Sequence, residues 1–309
     1  MVRTTKVQDQ RDYLKSLYFG DGGSGKTTNL ASLANLGRVL YIDAESGIKQ
    51  RPLEDLGVKT ANIELLAFEH GLSYGELDEA FWAVKSDLDD DPDSWVGVLW
   101  DSGTEIYQAL LEEIVTKRVE NATAVQRGRG KGTVSTALAD RFFVDRDDYG
   151  ENVRKIRLLM RHFRDLPCHF GSSFLERRDQ DDRSKRVWVG PSISPSLQTD
   201  MIGWHDVVGH TVYDAASDLY TGRFRPEGVT QGKDRYGVLP AILVDPTMDR
   251  LVQYISGELE ADSDPRQQAL VEGEEEEQEP TEDEPEDENK PSALEQARAA
   301  KAAQRAGKE

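Results

Sequence analysis

A chain of 309 residues with a net charge of −20 has room for one large α/β domain with appendages, and its acidity excludes a broad basic surface of the kind that coats nucleic acid. The single cysteine, Cys168, excludes an internal disulfide and suits a reducing compartment. No run of 18 apolar residues occurs and the first residues are polar, so a soluble, cytoplasmic protein without a membrane partner is expected.

Short apolar runs alternate with amphipathic stretches, which predicts βαβ units and a mostly parallel sheet flanked by helices. The first predicted strand, near 15–19, runs into Gly20-Asp21-Gly22-Gly23-Ser24-Gly25-Lys26-Thr27, followed by Thr28 and a helix near 26–35. This is a complete G-x-x-x-x-G-K-[ST] phosphate-binding loop. Its glycines let backbone N–H groups turn inward around a phosphate, and the helix adds its positive N-terminal end. Residues 20 to 28 are therefore the expected nucleotide contacts, with Lys26 on the β- and γ-phosphates and the Thr27 hydroxyl on Mg²⁺. ATP is expected over GTP, because the guanine-reading Asn-Lys-x-Asp motif is absent.

A second strand, near 38–43, ends in Asp43-Ala44-Glu45 at the sheet edge where open α/β folds hold ligands. Strands near 63–67 and 95–100 and a helix near 73–87 follow. Asp101, with Ser102 after it, stands where a Mg²⁺-linked carboxylate belongs, although either residue also suits the cap of a helix near 103–119. Residues 121–137 lack both apolar period and acidic residues, which predicts a mobile basic loop. A helix over 149–165 then leads into a strand over 168–173 that holds Cys168 as a packed core thiol. A charged stretch, 176–186, precedes further strands near 187–189, 204–213, 219–225 and 241–244, expected to be antiparallel at the far side of the sheet.

From Glu258 onward aromatic residues almost vanish, and residues 272–288 hold twelve Asp and Glu with no Lys or Arg. Such a segment cannot bury enough surface to fold. The domain reading is thus an N-terminal extension over 1–12, the ATPase domain over 13–257, an acidic linker over 258–291, and an Ala-rich stretch over 292–309 with helix propensity.

The phosphate loop, Ile42-Asp43-Ala44-Glu45 and Asp101-Ser102 together resemble RecA-type ATPases. That resemblance implies a RecA-like P-loop fold with Glu45 as the base that activates water. Asp148-Tyr149-Gly150, Phe163-Arg164-Asp165-Leu166-Pro167, Val189-Gly190-Pro191 and Pro195-Ser196-Leu197 narrow it to phage-encoded RecA-like ATPases, including the Sak-type single-strand annealing and recombination group, over roughly residues 13–255. It implies single-stranded DNA and a single-strand-binding protein as partners, a homo-oligomeric ring or filament, and the host cytoplasm as location. Lys233-Asp234-Arg235-Tyr236-Gly237 resembles the Lys-x-Arg-x-Gly element of hexameric RecA-fold helicases and clock ATPases, which implies that Lys233 and Arg235 reach a neighbouring subunit's γ-phosphate. Ser172 or Ser173 stands where RecA links nucleotide to DNA with a Gln. By the same resemblance Arg127, Arg129 and Lys131, and Arg177, Arg178, Arg183, Lys185 and Arg186, occupy the positions of the DNA loops. A DNA-motor or packaging-type ATPase and an ATP-gated adaptor that needs no DNA are the rival readings.

Overall fold

In the computed structural model, described over residues 11–68, 71–128, 140–180, 187–264 and 267, six strands run parallel in the order β7-β1-β5-β4-β2-β3. They are β1 (Lys15–Gly20), β2 (Val39–Asp43), β3 (Ile63–Leu65), β4 (Gly97–Asp101), β5 (His169–Gln180) and β7 (Val207–Asp214). Antiparallel strands β8 (Leu219–Arg223) and β10 (Ile242–Val244) extend the sheet beyond β7, while β6 (Val187–Pro191) pairs with β5 and β9 (Lys233–Asp234) with β7. The predicted mostly parallel sheet flanked by helices is therefore present. The strand expected near 204–213 is parallel to β1 rather than antiparallel. Its crossover, helix α6 (Pro195–Trp204), supplies the length that a parallel return needs.

Helices cover both faces. On one side lie α1 (Lys26–Ala31), the short α2 (Gln50–Asp55) and α7 (Met248–Ser256), with Leu30, Leu53 and Leu251 in the core beneath them. On the other lie α3 (Tyr74–Asp90), α4 (Gly103–Gly128), α5 (Arg146–Arg164) and α6, over a core that includes Trp100, Phe163 and Phe170. The Trp100 ring meets Phe163 and Phe170 edge-on at 5.4 and 5.7 Å. Ser73 caps α3 by accepting from the Glu76 N–H, and a reciprocal Asp145–Asp148 capping box starts α5 three residues before the predicted boundary.

Two expected loops are regular structure in part. Residues 121–128 belong to α4, because no Gly or Pro interrupts residues 104–127 and loss of apolar period alone does not break a helix. The charged stretch from Glu176 continues β5 to Gln180, which forms an antiparallel hairpin with β6. Beyond Glu258 the chain stays on the core for several residues. Asp264 is buried against Arg250 and the Tyr254 hydroxyl, and the Gln267 side chain bonds to the Ile242 carbonyl and the Val244 N–H. The N-terminal residues 1–10, the acidic run 272–288 and the Ala-rich stretch 292–309 lie outside the described residues. Among those described, no helix is long and apolar enough to cross a membrane.

The Cys168 thiol is buried and its pKa is pushed up to about 11 by that burial, as expected of a core thiol. Nearby, His205 is fully buried, its Nδ1 against the Met201 carbonyl at 2.7 Å and its Nε2 against the Ser172 hydroxyl at 3.1 Å. Burial pushes the His205 and His169 pKa values down to about 4. Below the ordinary value of about 6.5 the unfolded chain therefore binds protons that the folded chain does not, and stability present above that pH is lost as pH falls toward 4. Each histidine is expected to remove about 2 kcal/mol by pH 5. Urea unfolding at pH 7.5 and pH 5 should show this, with His205→Asn removing roughly half the difference; an unchanged difference would reject the assignment to His205.

Candidate active site

The phosphate loop leaves the end of β1 at the C-terminal edge of the parallel strands. Gly20 is required there by packing: a Cβ would lie 2.2 Å from the Thr211 carbonyl oxygen and 2.8 Å from Ser24 Oγ. Gly25, at φ 85°, precedes α1 in the left-handed region, and the Tyr220 ring lies against it. Thr211 of β7 braces the loop, its hydroxyl 3.0 Å from Ser24 Oγ and donating to the Phe19 carbonyl at 3.2 Å.

Lys26 is buried within the loop. Its ammonium donates to the carbonyls of Gly20 (2.9 Å) and Asp21 (2.6 Å) and to Ser24 Oγ (3.3 Å). Burial lowers its pKa, and the charges of Asp101, Glu45, Asp21 and Glu176 oppose that fall. The carboxylates of Glu45 in the turn after β2, Asp101 of β4, Glu176 of β5 and Asp21 of the loop thus all lie near enough to act on this one cation.

Asp101 ends β4 and is 5% exposed. Its Oδ2 accepts from the Tyr41 hydroxyl at 2.6 Å, and its Oδ1 accepts from the Ser173 hydroxyl. Burial first, and the Asp101 charge next, raise the Tyr41 pKa well above its usual value. Thr27, the other expected Mg²⁺ residue, is the second residue of α1, directly after Lys26. Among the described residues no group of three or more His, Cys, Asp or Glu is arranged to hold a metal ion. A hydroxyl and one buried carboxylate beside a phosphate loop nonetheless fit Mg²⁺, which takes one or two protein ligands and completes its shell with phosphate oxygens and water.

Glu45 reaches the same place through the turn after β2. Asp43 shapes that turn by accepting from the N–H groups of Gly47 (2.9 Å) and Ile48 (3.0 Å), and the Ala44 N–H donates to the Asp101 carbonyl at 2.7 Å. Glu45 Oε1 then accepts from the Ser102 hydroxyl, and its other oxygen makes no hydrogen bond among the described residues. Ser102 Oγ also accepts from the Glu105 N–H at 3.3 Å, so it caps α4 while orienting Glu45. Asp101 is not the cap.

The structure adds Tyr41, which sequence reasoning passed over, and gives Ser173 a different partner from the one expected: both hydroxyls hold Asp101. Ser172, the neighbouring alternative for the nucleotide link, points instead to His205 in the core. Glu176 faces the loop farther along β5 and accepts from His210 Nε2 at 2.9 Å, with the His210 ring stacked on Phe19.

Lys233 and Arg235 are not brought to this site. The Lys233 ammonium donates to the carbonyls of Ile202 (3.0 Å), Gly203 (2.9 Å) and His205 (2.6 Å), closing the C-terminal end of α6. Arg235 pairs with Asp206 at 2.5 Å, and the Asp206 N–H bonds to the Lys15 carbonyl at the start of β1. Both cations thus sit at the opposite edge of the parallel strands, about 16 Å or more from the loop at ~3.3 Å per residue. Of the expected DNA residues, Arg177 and Arg178 stand on the β5–β6 hairpin, where Arg177 pairs with Asp179 at 2.9 Å. Arg127 belongs to the last turn of α4, whereas Arg129, Lys131, Arg183, Lys185 and Arg186 lie outside the described residues.

A family model described as an AAA domain matches residues 12–236. No curated protein matches the sequence. Among solved structures, the crystal structure of the RadB recombinase is similar to this chain at 14% identity and a TM-score of 0.40, covering 70% of this chain and 84% of that one.

Proposed function

The chain belongs to the AAA-domain family over residues 12–236, and on that premise we propose that it is an ATPase whose turnover is coupled to single-stranded DNA in recombination or annealing, as the Sak-type phage group would be. The observation that carries the ATPase reading is the convergence of Lys26, Asp101 and Glu45, three residues from separate parts of the sequence, at one edge of the sheet. In this reading Lys26 exchanges its loop carbonyls for the β- and γ-phosphate oxygens. Thr27 and Asp101 would hold Mg²⁺, whose positive charge would offset the negative charge that develops on the phosphate oxygens.

Glu45 is the base. Held through Oε1 by Ser102, it presents its second oxygen to the attacking water and takes the proton as the water oxygen bonds to the γ-phosphorus. The bond from that phosphorus to the bridging oxygen breaks, and ADP leaves with the electron pair. Lys233 and Arg235 serve no phosphate of their own subunit, so a catalytic part for them is one played in trans, within an oligomer.

Turnover is expected to rise about fivefold or more when single-stranded DNA is added at low salt. Equal rates with and without DNA, in protein that binds nucleotide, would favour the ATP-gated adaptor. The same assay on mixed Lys26→Ala and Arg235→Ala protomers tests the trans role. Recovery of activity supports it, and none despite co-assembly confines Arg235 to its ion pair with Asp206.

A further inference from the structure

The second half of α5, residues 152–164, carries Arg154, Lys155, Arg157, Arg161 and Arg164 and no acidic residue, in a chain whose net charge is −20. Positions 154, 157, 161 and 164 repeat at helical spacing, so four guanidinium groups follow one stripe about 15 Å long. Two of them are matched by carboxylates, Arg157 by Asp200 and Arg164 by Asp165, each at 2.7 Å. The side chains of Arg154 and Arg161 are exposed and make no hydrogen bond or ion pair among the described residues.

Aromatic rings flank this stripe on both sides. On the α6 side, the guanidinium groups of Arg161 and Arg164 lie over the Trp204 ring at 5.1 and 5.6 Å from its centre. On the α3 side, Trp82 is 54% exposed, with its ring 6.4 Å from His162, which itself stacks on Phe81 at 4.5 Å. Leu158, 45% exposed, stands on the stripe between Arg154 and Arg161. Asp78 lies 3.8 Å from His162 and tempers the charge on that side.

Two unpaired arginines on a ridge, with the exposed Trp82 on one side and the half-buried Trp204 on the other, satisfy the two needs of an unpaired polynucleotide: charge for its phosphates and flat apolar surface for its bases. We propose that the Arg154–Arg161 stripe of α5, with Trp82 beside it, is a binding surface for single-stranded DNA, separate from the β5–β6 hairpin. Duplex DNA fits it poorly, because stacked and paired bases do not expose their faces to Trp82. The inference deepens the DNA-coupled reading above and rests on it.

The test uses the full chain and a fluorescent dT oligonucleotide of about 30 bases, titrated over a salt series. Neutralising Arg154 and Arg161 together (Arg154→Gln with Arg161→Gln) is expected to weaken binding and to reduce the slope of log K against log salt by about 1.4, roughly 0.7 for each phosphate that the protein no longer neutralises. Trp82→Ala is expected to weaken binding by about 5- to 150-fold with the slope unchanged. DNA-free ATP turnover should match the parent in both variants, which shows that they are folded. Parental affinity and slope in both variants, with the loss falling instead on Arg177→Gln with Arg178→Gln, would overturn this surface and leave the DNA-coupled reading intact. Absence of any binding by the parent protein would overturn both.

Discussion

Replacing Lys26 by alanine is expected to abolish measurable nucleotide binding. The ammonium is buried, and its present partners are two carbonyls and a hydroxyl rather than a carboxylate. Burial alone lowers its pKa, so the charged form is under-compensated and gains most from phosphate oxygens. Removing a buried, hydrogen-bonded charge of this kind costs about 2–5 kcal/mol, or roughly 30- to several-thousand-fold in affinity. Titration of a fluorescent ATP analogue measures it. Affinity within about threefold of the parent would mean that Lys26 does not touch the phosphates.

Glu45→Gln is expected to divide binding from chemistry. Gln keeps the shape and can still accept from the Ser102 hydroxyl, but it cannot take a proton from water. Turnover should fall by about 10²- to 10⁴-fold while the affinity for ATP stays near that of the parent. Single-turnover hydrolysis beside an equilibrium titration separates the two quantities. A loss of affinity as large as the loss of rate would instead make Glu45 a ground-state contact. The Asp43 carboxylate, two residues earlier, is occupied by the Gly47 and Ile48 N–H groups and does not substitute for it.

The phosphate loop is legible in the sequence because its chemistry is contiguous: the glycines, Lys26 and Thr27 occupy eight successive positions. The strand ends at Asp43 and Asp101 are legible for a similar reason, since an apolar run stopping at a carboxylate marks the edge of a parallel sheet. The support of Asp101 is not. Tyr41 and Ser173 lie 60 and 72 residues away in sequence and meet it only because β2 and β5 flank β4. Tyr41 reads as one more core residue of β2 until its hydroxyl is seen against a buried carboxylate.

The full lengths of α4 and β5 escape the sequence on the same ground. Polarity marks exposure, not irregularity, so a solvated helix end and a hairpin standing off the sheet both look like loops in sequence. Lys233 and Arg235 show the converse limit. Their spacing matches a phosphate-reaching element, but a Lys that closes a helix end and an Arg that pairs with Asp206 leave the same trace in sequence.

The ends of the sheet limit how copies of this chain can join. β3 is only three residues long, and its central Glu64 is held by Arg38 at 2.6 Å, which leaves a short, charged margin. At the other margin the Gln267 amide takes the place of a further strand, bonding to the Ile242 carbonyl at 2.7 Å and the Val244 N–H at 3.4 Å. Among the described residues these two margins are thus short or partly covered, which weakens them as templates for pairing with a second chain. A copy that loses Gln267 would leave the Ile242 carbonyl and the Val244 N–H of β10 without that cover.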